Sequence, residues 1–453
     1  MDPCEYRIPG LKYDKPKDAR VYTFKPFIVA KHTPLTKKLP KPRSGHRIVC
    51  DEKNLYSYGG FNPCISDNDP ELQHDRAWLT SKPLFKELWK FNLATQIWKR
   101  KCPETMPNEL ASSAVIRRGN SLLIYGGTGV PFGFTCSNRL YKCDLTSGRT
   151  QLVPAKGHMP EPQYGQALVC HGPYLYTVGG TTGLDFTSDI HRFDMRTGIW
   201  ETVYICSGRH QNEPTGRYRH ELAFDGKRIY VLGGGTAHNS FGFAEIPAFD
   251  LQLNRWVTLP THGDDQDNMV PAARRSHGSV QYIDERTGVT LVVISGGYNM
   301  EQAFSDVWRL DLSSLQWTRL KKCILPYPIY FHSAAITPQK QMCIFGVIIS
   351  HFLQSILKIF ISRTNTVYSV WLAIPKLSEI CWEALLFYYP QLKRKLPHEL
   401  LHLGIPMRFV ERMEYRNKSA TQIVVIFVDK YLFLISRIFP NHSIILRKRQ
   451  ITK

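Results

Sequence analysis

The chain has 453 residues, 43% of them hydrophobic and 12% aromatic, with 31 glycines and 29 prolines, which excludes a disordered or collagen-like chain and exceeds what one small domain accounts for. Its net charge of +20 sits toward the ends: residues 1–45 hold 11 basic and 4 acidic side chains, residues 351–453 hold 16 and 6, and residues 46–350 hold 31 and 28. The large middle is close to neutral, so a nucleic-acid footprint spread over the whole molecule is excluded.

Residues 1–43 read as a basic N-terminal arm. The opening Met-Asp-Pro-Cys-Glu is charged and proline-broken where a secretory signal needs an apolar run of about 7 to 15 residues. Eleven cysteines lie scattered from Cys4 to Cys381 without a Cys-x-x-Cys pair, as free thiols of a reducing compartment do. A cytoplasmic or nuclear location is therefore expected, and the sequons at Asn417 and Asn441 are read as chance.

A repeat occupies residues 44–371. Short β-branched or aromatic runs end in glycine doublets whose first members are Gly59, Gly126, Gly179, Gly233 and Gly296, and a sixth run ends at Gly346 with one glycine. Another strand-like run precedes each, often through a turn signal such as Asp225-Gly226. After the doublet a Trp recurs nine residues beyond a fixed position: Trp89 and Trp98, His191 and Trp200, Pro247 and Trp256, Trp308 and Trp317, with Thr150 standing nine after Tyr141. Four short strands per unit, none able to make a core alone, fit an all-β fold of six blades around an axis. A glycine pair lets a neighbouring backbone approach, and each Trp fills the gap between blades, burying ~150 to 250 Å². Doublet, aromatic and Trp at about a 50-residue period resemble kelch repeats. The Gly-His and Trp-Asp marks of the WD-repeat propeller are absent.

The residues just before each inner strand converge on one face of a propeller. Here they supply Arg43, Arg47, Arg217, Arg219, Arg274 and Arg275, with Glu109 as the nearby acid and His46, Tyr164, Gln166, Tyr218, His220, His277, Tyr330 and His332 as the expected pocket rim. Arginine forks among Ser, Tyr and His donors suit a carboxylate or phosphate. Bridging between blades is the competing reading of any one of these arginines. No paired carboxylates, activated nucleophile or two-His metal spacing appears, so neither catalysis nor a metal or cofactor is expected. Residues 127–131 resemble a phosphate loop only until Pro131 breaks the helix start such a loop needs.

Blade six departs from the pattern. After Gly346 comes an apolar stretch, residues 347–365, holding His351, Gln354 and Lys358, before the repeat returns at Val367 and Trp371. It falls short of a ~20-residue membrane span and reads as translated intron or misassembled gene sequence, as does the atypical tail 416–453. Such an interruption puts closure of the ring in doubt.

Residues 375–415 turn helical. Between Pro375 and Pro390, Leu377, Cys381, Ala384 and Leu385 share one helical face. Leu377-x3-Cys381-x3-Leu385 resembles the BC box that engages elongin C, and Ile405, Pro406, Phe409 and Met413 are spaced as in the cullin-2 box, with the proline in a first helical turn where its missing N–H costs nothing. A kelch propeller followed by both boxes resembles the kelch-domain substrate receptors of elongin B/C and cullin-2 ubiquitin ligases; the loops at 126–133, 217–220, 273–275, 330–332 and 401–404 share in the likeness. The resemblance implies a non-catalytic receptor for C-terminal degrons, small or glycine-ended, with elongin B/C, cullin-2 and degron-bearing proteins as partners and neither nucleic acid nor membrane. Carried over by blade position, Arg217, Arg219, Arg274, Arg275 and Ser276 are the candidates to hold the terminal carboxylate. The alternative is a kelch interaction scaffold without a ligase role, in which the helices merely pack.

Overall fold

The computed structural model describes residues 21–101, 105–346, 348–353 and 358–413. Two compact units divide the described chain, residues 21–384 and residues 385–413. The first is a six-bladed β-propeller.

Blade one shows the construction. Arg47–Cys50, Asn54–Tyr58, Leu88–Asn92 and Ile97–Lys101 pair antiparallel in chain order. The six inner strands, Arg47–Cys50, Ala114–Arg118, Ala167–His171, Glu221–Phe224, Gly278–Ile283 and Ser333–Ile336, neighbour one another in a ring. Alternation along each strand sends apolar side chains to both faces, because every blade is packed on both sides. The recurrent Trp pairs across strands with Phe91, Phe193, Phe249 or Leu310 and packs on the preceding blade. Trp98 meets Phe345 of blade six, with ring centroids 5.2 Å apart, and Trp200 meets Tyr125 of blade two at 5.0 Å. Trp256 and Trp317 share cores with Tyr176 and Tyr230 of the blades before them. Where blade two lacks the Trp, Thr150 faces Cys143.

The glycine doublets have a steric cause that His277 illustrates. Its side chain lies between Gly233 of blade four (φ +57°) and Gly297 of its own blade (φ +103°); a Cβ would sit 3.1 Å from His277 Cε1 at the first and 2.9 Å from His277 Cβ at the second. Both positions combine left-handed backbone with no room for a side chain. His46, Gln166 and His220 are held the same way, each between a glycine of its own blade and one of the blade before.

Ring closure, placed in doubt by the interruption after Gly346, is intact. Gln341–Phe345 pairs directly with Val367–Trp371, while Ile348–Leu353 and Lys358–Arg363 form an antiparallel hairpin in a separate small sheet. The sequence between the two blade strands is looped out, so the blade keeps its register. Part of the N-terminal arm completes the blade: Ala30–Lys31 pairs with Ser369 and Tyr368, flanked by Phe27 N–H to Trp371 C=O at 3.0 Å and His32 N–H to Val367 C=O at 2.9 Å. The outer strand of the last blade is thus the first strand among the described residues.

Two expectations concern residues outside the described ones: the tail 416–453 with both sequons, and the first 20 residues of the arm. Among the described residues no helix is long and apolar enough to cross a membrane. If the N-terminal strand seals the ring, a chain beginning after Lys31 loses several backbone hydrogen bonds at about 1 kcal/mol each. Thermal unfolding of that truncation is expected at clearly lower temperature than the full chain, and an unchanged Tm would contradict the seal.

Candidate functional site

Six residues, one per blade, sit immediately before the residue that enters the inner strand's packing: Gly45, Ser112, Gly165, Arg219, Ser276 and Phe331. All six have φ between +54° and +70°. Their backbones are linked in sequence, Ser112 N–H to Gly45 C=O at 2.7 Å, Gly165 to Ser112 at 2.9 Å, Arg219 to Gly165 at 2.7 Å, Ser276 to Arg219 at 3.0 Å and Phe331 to Ser276 at 3.0 Å. This ring surrounds the mouth of the channel, and its side chains line a funnel there together with Arg47, Glu221 and the histidines below.

Left-handed backbone suits glycine and costs a residue with a side chain about 1 to 2 kcal/mol. Blades one and three use glycine; blades two, four, five and six do not. Among the described residues Ser112 Oγ, Ser276 Oγ and Arg219 Nε are buried polar atoms without a hydrogen-bond partner. The Arg219 guanidinium lies 4.1 Å from the Phe331 ring centroid, and burial lowers its pKa. Two hydroxyls and a desolvated guanidinium on one rim form a donor set for a single anion.

The sequence-named arginines separate into two kinds. Arg219 stands at the mouth. Arg217 and Arg274 do not: both are buried, and their donors are engaged inside the blades. Arg217 bonds Thr215 C=O at 3.1 Å and Gly233 C=O at 3.0 Å and stacks 4.0 Å from the Phe241 ring; burial lowers it to about 10. Arg274 bonds Ala272 C=O at 3.0 Å, Gly296 C=O at 2.9 Å and both oxygens of Asp306, and stacks 4.0 Å from Phe304. Arg43 repeats the arrangement in blade one with Gly59 C=O, Glu87 and Phe85. These three staple the loop before an inner strand to the glycine that ends the next strand, so Arg217 and Arg274 are corrected from ligand grip to blade packing. Arg275 is intermediate: it bonds Thr236 C=O and lies 5.7 Å from the rings of both Tyr218 and Tyr298.

The expected rim also divides. His46, His277 and His332 floor the funnel, whereas His220 and Gln166 are fully buried beside it. Gln166 donates to Tyr125 C=O at 3.1 Å, and His46 Nε2 bonds Phe345 C=O at 3.0 Å. Tyr164, Tyr218 and Tyr330 belong to an aromatic collar outside the ring: Phe61 and Phe132 at 4.6 Å, Phe132 and Tyr164 at 6.5 Å, Tyr164 and Tyr218 at 6.2 Å, Tyr298 and Tyr330 at 5.0 Å. The acid in the funnel is Glu221 and not Glu109, and it pairs with Arg47. Glu221 does not stand among the sequence candidates. The first inner-strand residues carry the missed signal: Arg47, Ala114, Ala167, Glu221, Gly278 and Ser333 hold charge in blades one and four alone.

In the C-terminal region Leu377–Tyr388 is one helix. Leu377 is 73% exposed and Cys381 exposed, with Leu385 half-buried. Glu383 on this helix accepts from Trp371 Nε1 and Tyr22 Oη, both at 2.9 Å. In the second unit Ile405, Phe409 and Met413 are buried and Pro406 is exposed ahead of the turn Met407–Val410.

A kelch-repeats domain described as KLHDC2/KLHL20/DRC7 matches residues 12–234, 77–289 and 210–376. The chain is 40% identical over 387 residues to Kelch domain-containing protein 10 of Xenopus laevis, covering 83% of this chain and 87% of that protein. To the Homo sapiens protein of the same name it is 38% identical over 376 residues, covering 83% and 80%. The Drosophila melanogaster homologue is 40% identical over 415 residues, and the chain spans 66% of its length.

Four ring histidines are held neutral. Burial, reinforced by Arg43 and Arg217 respectively, lowers His46 and His220 to about 3; burial lowers His332 to about 3 and carries His277 well down. Their folded pKa lies below 6.5, so the unfolded chain binds the extra protons: the fold is unpenalised above pH 6.5 and loses about 1.4 kcal/mol per histidine per pH unit below it. Tm is expected to fall steeply between pH 7 and 5. His220→Gln, the residue blade three already uses, is expected to reduce proton uptake on unfolding by close to one; a slope unchanged by it would contradict the assignment.

Proposed function

The chain belongs to the Kelch domain-containing protein 10 family of kelch-repeat proteins, and on that premise we propose that it is a non-catalytic substrate receptor of an elongin B/C and cullin-2 ubiquitin ligase, reading C-terminal degrons at the propeller mouth. The observation that carries this reading is the retention of Arg219 and Ser276, with Ser112, at positions where left-handed backbone favours glycine. Strain kept where a glycine would relieve it marks a side chain with a task. All three line one funnel, where a chain-terminal carboxylate would meet hydroxyl and guanidinium donors together. An interfacial carboxylate deprived of its Arg partner costs roughly 2 to 5 kcal/mol, enough to distinguish a chain end from an internal peptide. The ring is narrow, which favours a small last residue, since an added methyl in a closed pocket is worth about 1 to 3 kcal/mol. The aromatic collar offers the preceding residues a stacking surface.

The ligase side of the proposal rests on the exposed Leu377 and Cys381 for elongin C and, for cullin-2, on Pro406 at the start of its turn, since Ile405, Phe409 and Met413 are turned inward. The nine described cysteines are free, as a cytoplasmic or nuclear receptor requires.

Peptides ending in a free glycine carboxylate are expected to bind, and their amidated counterparts to lose at least about tenfold in affinity; calorimetry giving equal affinities would sink the carboxylate reading. Arg219→Gln is expected to abolish peptide binding with little change in Tm, whereas Arg274→Gln lowers Tm by leaving the Asp306 carboxylate without its guanidinium. Leu377→Asp with Cys381→Asp is expected to abolish co-purification of elongin C without unfolding the propeller. A wild-type chain that brings down no elongin C would leave a plain kelch interaction scaffold.

A further inference from the structure

Arg47 and Glu221 open the inner strands of blades one and four, opposite members of a ring of six. Their side chains meet across the channel, Arg47 Nη1 donating to Glu221 Oε1 at 2.6 Å. Both line the same funnel as Ser112, Arg219 and Ser276, with 23% and 18% of their side chains accessible. The two arginine–acid pairs whose guanidinium is fully buried differ. Arg43 with Glu87 and Arg274 with Asp306 lie within one blade, and each guanidinium is also tied to backbone carbonyls. Arg47 with Glu221 joins two blades that share no strand pairing, through one hydrogen bond among the described residues. A guanidinium has five N–H donors in a planar fork, so this pair leaves Arg47 able to take a bidentate partner.

Glu221 is therefore a carboxylate standing in a funnel with two guanidiniums, Arg47 and Arg219. We propose that it is an internal stand-in for the ligand: in the empty propeller Glu221 holds Arg47, and the terminal carboxylate of a bound chain displaces it and takes Arg47 as a second guanidinium beside Arg219. The inference deepens the carboxylate reading above and rests on it. Entry with Glu221 still in place would set two carboxylates against each other, whereas exchange keeps one acid on Arg47 throughout. Binding then registers as the difference between two pairings, so Glu221 holds down the affinity for the free acid and, with it, the margin of acid over amide.

The test uses the full chain with a free-acid peptide ending in glycine and its amidated twin. If wild type binds both alike, the carboxylate reading itself fails. If wild type prefers the acid, Glu221→Gln is expected to tighten the acid about tenfold and leave the amide unchanged, and adding Arg47→Gln removes that gain. Unchanged or weaker acid binding by E221Q, or a gain that survives in the R47Q and E221Q double variant, overturns the displacement while leaving the carboxylate reading standing. Should E221Q show no cooperative unfolding transition, Arg47→Gln alone carries the test: it is expected to weaken the acid and leave the amide unchanged, and acid binding unchanged by it overturns the displacement.

Discussion

The ring of left-handed residues around the channel is the constraint on which the rest of this propeller depends. Blades two to six each offer one N–H of this ring to the carbonyl of the blade before, and all six ring residues hold positive φ there. Six short sheets that bury little alone are thereby indexed to one another at their narrowest point. Directly beneath, a polar side chain is lodged between glycines of two blades, so rotation of any blade meets both hydrogen-bond loss above and steric contact below. The site inherits its rigidity from this arrangement, since the same six residues carry the side chains of the mouth.

Arginine does two jobs within a few residues of chain. Arg43, Arg217 and Arg274 are desolvated, stacked on phenylalanine and bonded to the glycine carbonyl of the strand turn; the planar fork satisfies carbonyl and aromatic face together, which a lysine ammonium cannot. Arg47 and Arg219 line the funnel. The difference is one of place in the repeat: Arg43, Arg217 and Arg274 each stand two residues before the left-handed residue of their blade, whereas Arg219 is that residue in blade four and Arg47 follows it by two in blade one.

That difference of place explains what was legible in the sequence. Glycine doublets and Trp at fixed spacing specify the six blades because each has a local cause, close backbone approach for one and inter-blade filling for the other. Arg219 and Ser276 were reached by the same reasoning, but Arg217 and Arg274 came with them, because a loop motif gives composition without giving the side each residue faces. Glu221 was hidden for the opposite reason: it is the first residue of a strand, and its meaning lies in a partner, Arg47, 174 positions away in the chain. Closure of blade six was obscured by the interruption between its strands, which hydrogen bonding between Gln341–Phe345 and Val367–Trp371 simply bypasses.

The seam in blade six also orders events in time. His32 and Ser369, bonded at 2.8 Å, are 337 residues apart, and joining chain ends over that distance costs about 5 kcal/mol of loop entropy by logarithmic scaling. The two-residue strand Ala30–Lys31 is too small to meet that cost unaided, so it docks only after the other blades have brought its partner edge within reach. By that loop-entropy argument the seam is the last contact expected to form and the first expected to open.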